Sequence, residues 1–102
     1  MPDYTNTSIY KLYYLDDKVK DIYIGYTTNI TGRMNVHRNV SLRPIHKSYN
    51  QKTYRIIRKN GGWSNWKYEI IETFCCNNKY EAMEKERHYF RKLQPTMNTN
   101  KK

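Results

Sequence analysis

Only two of the 102 residues are cysteine, and Cys75 and Cys76 are adjacent. Neighbouring cysteines close a disulfide only with strain, and no CxxC or Cys/His spacing marks a zinc site. No disulfide is therefore expected, and the natural setting is a soluble protein in an intracellular, reducing compartment. No apolar run approaches the length of a membrane span, and no signal-peptide core is legible, so no membrane partner is expected. Four glycines and three prolines are too few for a long flexible linker, and no internal repeat appears. Acidic residues are scarce as well, nine against nineteen Lys and Arg.

That imbalance is the strongest compositional feature. A formal charge of +10 on so short a chain implies a polyanionic partner, because neutralising phosphates releases counterions and supplies sequence-independent affinity. The plainer reading is a charged surface kept for solubility. Mean hydropathy is low, -1.06, yet eleven tyrosines and two tryptophans supply core material. A tyrosine scores as hydrophilic while its ring packs as a hydrophobe. The chain is read as one folded domain over residues 1–102, too short for two.

Residues 8–15 (SIYKLYYL) and 21–26 (DIYIGY) are rich in β-branched and aromatic residues, and the polar DDKVK between them makes the pair a β-hairpin. Thr27 and Thr28 offer an N-cap for a helix from about Asn29 to Arg38. Residues 40–49 read as a loop containing Pro44, followed by a second helix over about 50–59 that ends at Gly61-Gly62. In 66–74 (WKYEIIETF), Trp66, Tyr68 and Ile70 alternate with Lys67 and Glu69, the period of a third strand. Asn77 or Asn78 then caps a third helix to about Leu93, with Glu81 placed as in a capping box and Pro95 as the stop. The order β-β-α-α-β-α predicts an α/β fold, a three-stranded antiparallel sheet flanked by three helices.

The third helix holds the most informative residue. Ala82, Tyr89, Phe90 and Leu93 form an apolar stripe, and Glu86 falls in its middle. A carboxylate there is costly unless a cation compensates it or it lines a cleft; the alternative is a glutamate at the core's edge paired with an arginine. On the first helix Arg33 and His37 share a face with Ile30 and Met34, which reads either as a polar cleft beside the core or as a solvated face. An arginine fork matches phosphate oxygens, and a histidine can polarise a hydroxyl. The tyrosines alone decide nothing, since most must be packing residues. Lys47, Lys52, Arg55, Arg58 and Lys59 make the second helix basic, either a phosphate-tracking surface or a solvated face, and Lys101-Lys102 end the chain.

Taken in order, Ile9-Tyr10, Tyr23-Ile24-Gly25, Arg33 with His37, Glu86, and Pro95 with Asn98 resemble the GIY-YIG nuclease family. The second motif is complete; in the first, Ser8 stands where glycine is usual. The run YIGYTTNITGRMNVHR matches the passage from YIG through a Thr-containing turn to the Arg and His, and ERHYFRKLQPTMN matches the metal-binding Glu followed by Pro and Asn. NGGWSNWKYEIIE followed by CNNKYEAMEKER looks most like the compact stand-alone members carried by large DNA viruses. The resemblance spans about residues 8–98.

The resemblance implies a metal-dependent DNA endonuclease that cuts one strand per active site. Glu86 would be the only protein ligand of one Mg²⁺ or Mn²⁺, with waters and phosphate completing the shell. Arg33 would stabilise the developing charge, Tyr10 would be the general base, Tyr23 would orient water or phosphate, His37 would assist Tyr10, and Asn98 would fix the active-site end of the chain. A double-strand break would need two subunits or two encounters; the sequence shows no dimer surface. Two rivals remain: a non-catalytic nucleic-acid-binding module on the same fold, and an RNA-binding protein using aromatic stacking, which leaves Glu86 without a purpose.

Overall fold

The computed structural model describes residues 3–98; Lys101 and Lys102 lie outside them. Its main elements are β1 (Thr7–Tyr14), β2 (Ile22–Thr27), α1 (Ile30–Leu42), α2 (Lys52–Lys59), β3 (Trp66–Phe74) and α3 (Lys79–Leu93). They follow the expected β-β-α-α-β-α order. The strands form one antiparallel sheet in the order β2-β1-β3, so β1 is central and is paired on both sides.

Alternation along β1 sorts its side chains to two faces. Tyr10, Leu12 and Tyr14 point to one face, together with Tyr23 and Gly25 of β2. There α1 and α2 close the core, in clusters joining Val40, Tyr54, Ile57, Trp66 and Met97, and Tyr10, Leu12 and Met34. Thr7 and Ile9 point the other way with Ile24, toward α3, which packs on β2 and β1 and buries Ala82 and Glu86. Covering on both sides explains why Ile9, Tyr10 and Leu12 are all fully buried.

Three local features depart from the sequence reading. The cap of α1 is Asn29, whose side chain accepts the Gly32 N–H at 3.0 Å, while Thr27 accepts the Asn29 N–H one step earlier. Asparagine's short amide reaches back to an otherwise orphaned donor. The helix also runs past Arg38 to Leu42, since Val40 and Ser41 are buried there; it ends where Pro44 disfavours helical geometry at Arg43. In β3, of the three alternating apolar residues only Trp66 is buried, and Tyr68 and Ile70 are 46% and 42% exposed. β3 is an edge strand, and a bulge opposite Ile9 and Tyr10 leaves Ile71 unmatched, so period alone overstated its burial.

α3 starts at Asn78, which accepts the Glu81 N–H at 3.0 Å; the Glu81 carboxylate reaches back to the Asn77 N–H rather than to the cap residue. It stops at Gln94, left-handed at φ 48°, just before Pro95. The chain then doubles back along the outer edge of β2. Met97 donates its N–H to the Ile22 carbonyl, and the Asn98 side chain both accepts the Ile24 N–H at 3.0 Å and donates to the Ile24 carbonyl at 2.7 Å. Asn98 thus imitates a paired strand residue and closes an edge that would otherwise be open. Thr53 of α2 bonds the Met97 carbonyl at 2.7 Å, and Met97 itself is fully buried.

Replacing Asn98 with Ala removes both bonds to Ile24. We expect a loss of about 2 kcal/mol, half-buried polar partners being left without each other. Equilibrium urea unfolding measures it; an unchanged midpoint would show the strap to be dispensable.

Candidate active site

Gly25 lies directly opposite Tyr10 in the hairpin. A Cβ on Gly25 would meet the Tyr10 Oη at 2.6 Å and Cζ at 2.8 Å. The phenol therefore lies across the bare backbone of the glycine, and the third letter of Tyr23-Ile24-Gly25 is required by a close approach rather than by a turn. Ser8, two residues before Tyr10, sets its hydroxyl 3.4 Å from that of Thr73 on β3. The structure thus gives the Ser8 hydroxyl an accepted place where glycine is usual.

The Tyr10 hydroxyl is 2.8 Å from His37 Nε2, and His37 Nδ1 is 2.8 Å from the Tyr54 hydroxyl. α1 brings His37 under the sheet, and α2 brings Tyr54 to its far side. The imidazole also meets Tyr23 edge-on and stacks on Trp63, with centroids at 5.3 and 6.1 Å. His37 is 2% exposed. Burial first, and then the Arg33 charge, push its pKa down to about 4, so it is neutral at physiological pH.

A neutral imidazole carries one donor and one acceptor, so one flanking phenol donates to it and the other accepts. Burial raises Tyr10 well above an ordinary phenol and raises Tyr54 to about 12. Tyr23 is also raised, by burial and then by the Glu86 charge, while Arg33 opposes. The result is a hydrogen-bonded chain of Tyr54, His37 and Tyr10, with the Tyr23 ring beside Tyr10 at 6.0 Å between centroids; Tyr23 is the one phenol of that pair that is only half-buried.

Arg33 and Glu86 both act on Tyr23. Arg33 is exposed, and its charge acts on Tyr10, Tyr23, Tyr26, Tyr54 and His37. Glu86 is 5% exposed on α3, and its charge acts on both Tyr23 and Tyr26 of β2. Five of the six expected residues (Tyr10, Tyr23, Arg33, His37 and Glu86) are thus brought into one electrostatic cluster. Asn98 stands one residue away, on the Ile24 backbone.

The basic residues separate by role. Lys47, Lys52, Arg55 and Lys59 are exposed, whereas Arg58 donates to the carbonyls of Ser41 and Tyr49 and lies 3.6 Å from the Tyr49 ring centroid. Arg58 thereby ties α2 to the end of α1. Tyr54 and Trp63 complete the chain around His37 without having been singled out in the sequence. Their signal is weak, because an aromatic at core spacing looks the same whether it packs or bonds.

No group of three or more His, Cys, Asp or Glu among the described residues is arranged to hold a metal. A lone carboxylate suits a hard ion that keeps most of its water, Mg²⁺ or Mn²⁺, and does not suit zinc.

Two outcomes are expected from this geometry. Gly25→Ala drives a methyl into the Tyr10 hydroxyl, so we expect a loss of about 1–3 kcal/mol in stability and a chemical-shift change at His37. Unaltered His37 resonances would show that Tyr10 yields freely. Second, the folded-state pKa of His37 lies below the unfolded value of 6.5, so the unfolded chain binds the extra proton between them. The stabilisation is complete above about pH 6.5 and is lost as pH falls toward about 4, on the order of 3 kcal/mol in all. Urea midpoints from about pH 6.5 to 5 should fall in the wild type and flatten in His37→Gln; parallel slopes would overturn the assignment.

No curated protein and no solved structure matches the chain significantly. No described helix is long and apolar enough to cross a membrane, and both cysteines are free. The family described as the GIY-YIG catalytic domain matches over residues 6–100, which contain the whole sheet, all three helices and every member of the cluster around Tyr23. The chain belongs to the GIY-YIG catalytic domain family, and so to a family of nucleases acting on nucleic acid.

Proposed function

We propose that the chain is a metal-dependent DNA endonuclease that hydrolyses one phosphodiester strand per active site. The observation that carries this reading is the meeting of an exposed guanidinium, Arg33, and a buried carboxylate, Glu86, on the half-buried Tyr23. Opposite charges acting on one phenol suit a reaction in which water loses a proton while negative charge builds on phosphorus.

Glu86 would hold a single Mg²⁺ or Mn²⁺. When bound, the ion supplies Lewis-acid stabilisation of the phosphoryl oxygens and offsets the Glu86 charge that otherwise raises Tyr23. Arg33, exposed and forked, binds the scissile phosphate and stabilises its developing charge. Tyr10 is fully buried whereas Tyr23 is half-buried, so we assign the water-facing role to Tyr23 and make Tyr10 the group that orients it, exchanging the roles implied by the resemblance. As phenolate, favoured by the Arg33 charge, Tyr23 takes the proton of the attacking water. The new P–O bond forms as the bond to the leaving oxygen breaks, and solvent protonates that oxygen. His37 and Tyr54 keep Tyr10 aimed. Lys47, Lys52, Arg55 and Lys59 track the phosphates flanking the cut, with Arg58 holding their helix in place.

A non-catalytic module on this fold would be free to lose Glu86 or Arg33, and both are present. Supercoiled plasmid with purified protein and Mg²⁺ or Mn²⁺ should be nicked. Glu86→Ala should abolish nicking with binding retained, and Arg33→Ala should slow it at least about a hundredfold, with only modest loss of affinity. Binding without nicking by wild type would favour the non-catalytic module. Tyr23→Phe should impair turnover more than Tyr10→Phe; the reverse order would return the base to Tyr10.

A further inference from the structure

A second concavity lies on the face of the sheet that α1 covers. That pocket, about 380 Å³, is lined by Met34, Trp63, Trp66, Lys67 and Tyr68. Arg33, the residue before Met34, belongs to the catalytic cluster, and Trp63 stacks on His37. The pocket therefore shares a wall, Trp63, with the cluster around His37.

Its lining is unusual for a surface this basic. Three of its five residues are aromatic, and they include both tryptophans of the chain. Tyr68 is exposed although its alternation marks it for a core, and Lys67, between Trp66 and Tyr68 on the edge strand, is also among the lining residues. Aromatic faces on a strongly basic domain, with a lysine beside them, together match one chemical class. A nucleobase presents a flat π-face and edge acceptors, on a chain that carries phosphate next to it.

We propose that this pocket takes an unpaired base of the DNA strand near the scissile phosphate, with Tyr68 and Trp63 as stacking surfaces and Lys67 on the neighbouring phosphate. A base in a continuous duplex is stacked and cannot enter without being extruded, so the enzyme should prefer branched, gapped or single-stranded DNA over uninterrupted duplex. The inference rests on the nuclease reading for its substrate, but its test does not rest on cleavage.

Both tryptophans line the pocket, so their emission responds to its filling, and the Tyr68→Ala variant separates that response from changes at His37, on which Trp63 also stacks. The full chain in EDTA is titrated with three probes: a short oligodeoxythymidylate, the same backbone made wholly abasic, and a blunt duplex. Anisotropy of labelled probes follows binding in parallel. Oligodeoxythymidylate should quench the emission, and the other two should bind with little quenching. Tyr68→Ala, at an exposed edge-strand position, should weaken oligodeoxythymidylate binding about tenfold and leave abasic binding unchanged. Equal quenching by the abasic strand, or equal loss of both affinities in Tyr68→Ala, would overturn the pocket whatever the cleavage assay shows. Base-dependent quenching without nicking would sustain the pocket and sink the nuclease reading instead.

Discussion

The Tyr10 phenol lies flat across Gly25 and ends on His37, and most of the site's geometry follows from that contact. For the ring to lie there, β2 must offer a residue without a side chain, and α1 must present its histidine to the sheet. The histidine in turn needs a second partner, which α2 supplies as Tyr54. Three elements are thereby locked through polar atoms in a setting where any unmatched donor is expensive. Such a network tolerates little drift, which is the property a catalytic phenol requires of its support.

Burial also sets the protonation state of the network. His37 is held neutral because a charged imidazole would lose its hydration beside the Arg33 guanidinium. A neutral ring offers one donor and one acceptor, which its two phenol partners use. Glu86 and Arg33 act on Tyr23 from different helices, and the strap carrying Asn98 fixes the outer edge of β2.

Charge and aromaticity, merged in the composition, are separated in space. Exposed cations of α2 and its preceding loop suit a phosphate backbone, whereas both tryptophans gather beside α1. A contact to phosphate positions a strand without reading it, while a contact to a base depends on whether that base is free.

Sequence by itself determined the number and order of elements, because period-two and helical patterns survive in short segments. It also determined the spacing of Tyr10, Tyr23, Arg33, His37 and Glu86. Glu86 was legible as a carboxylate on an apolar stripe, and Gly25 as part of a motif. What each was for was not legible: the reason for Gly25 is a ring from a neighbouring strand, and the exposure of Tyr68 and Ile70 follows from β3 lying at an edge. Likewise Arg58 is indistinguishable in sequence from Lys59, yet carbonyls from two other segments claim its guanidinium. Tertiary structure alone decided these matters, because burial and hydrogen-bond partnership belong to pairs of residues distant along the chain, and pattern within one segment carries no record of its partner.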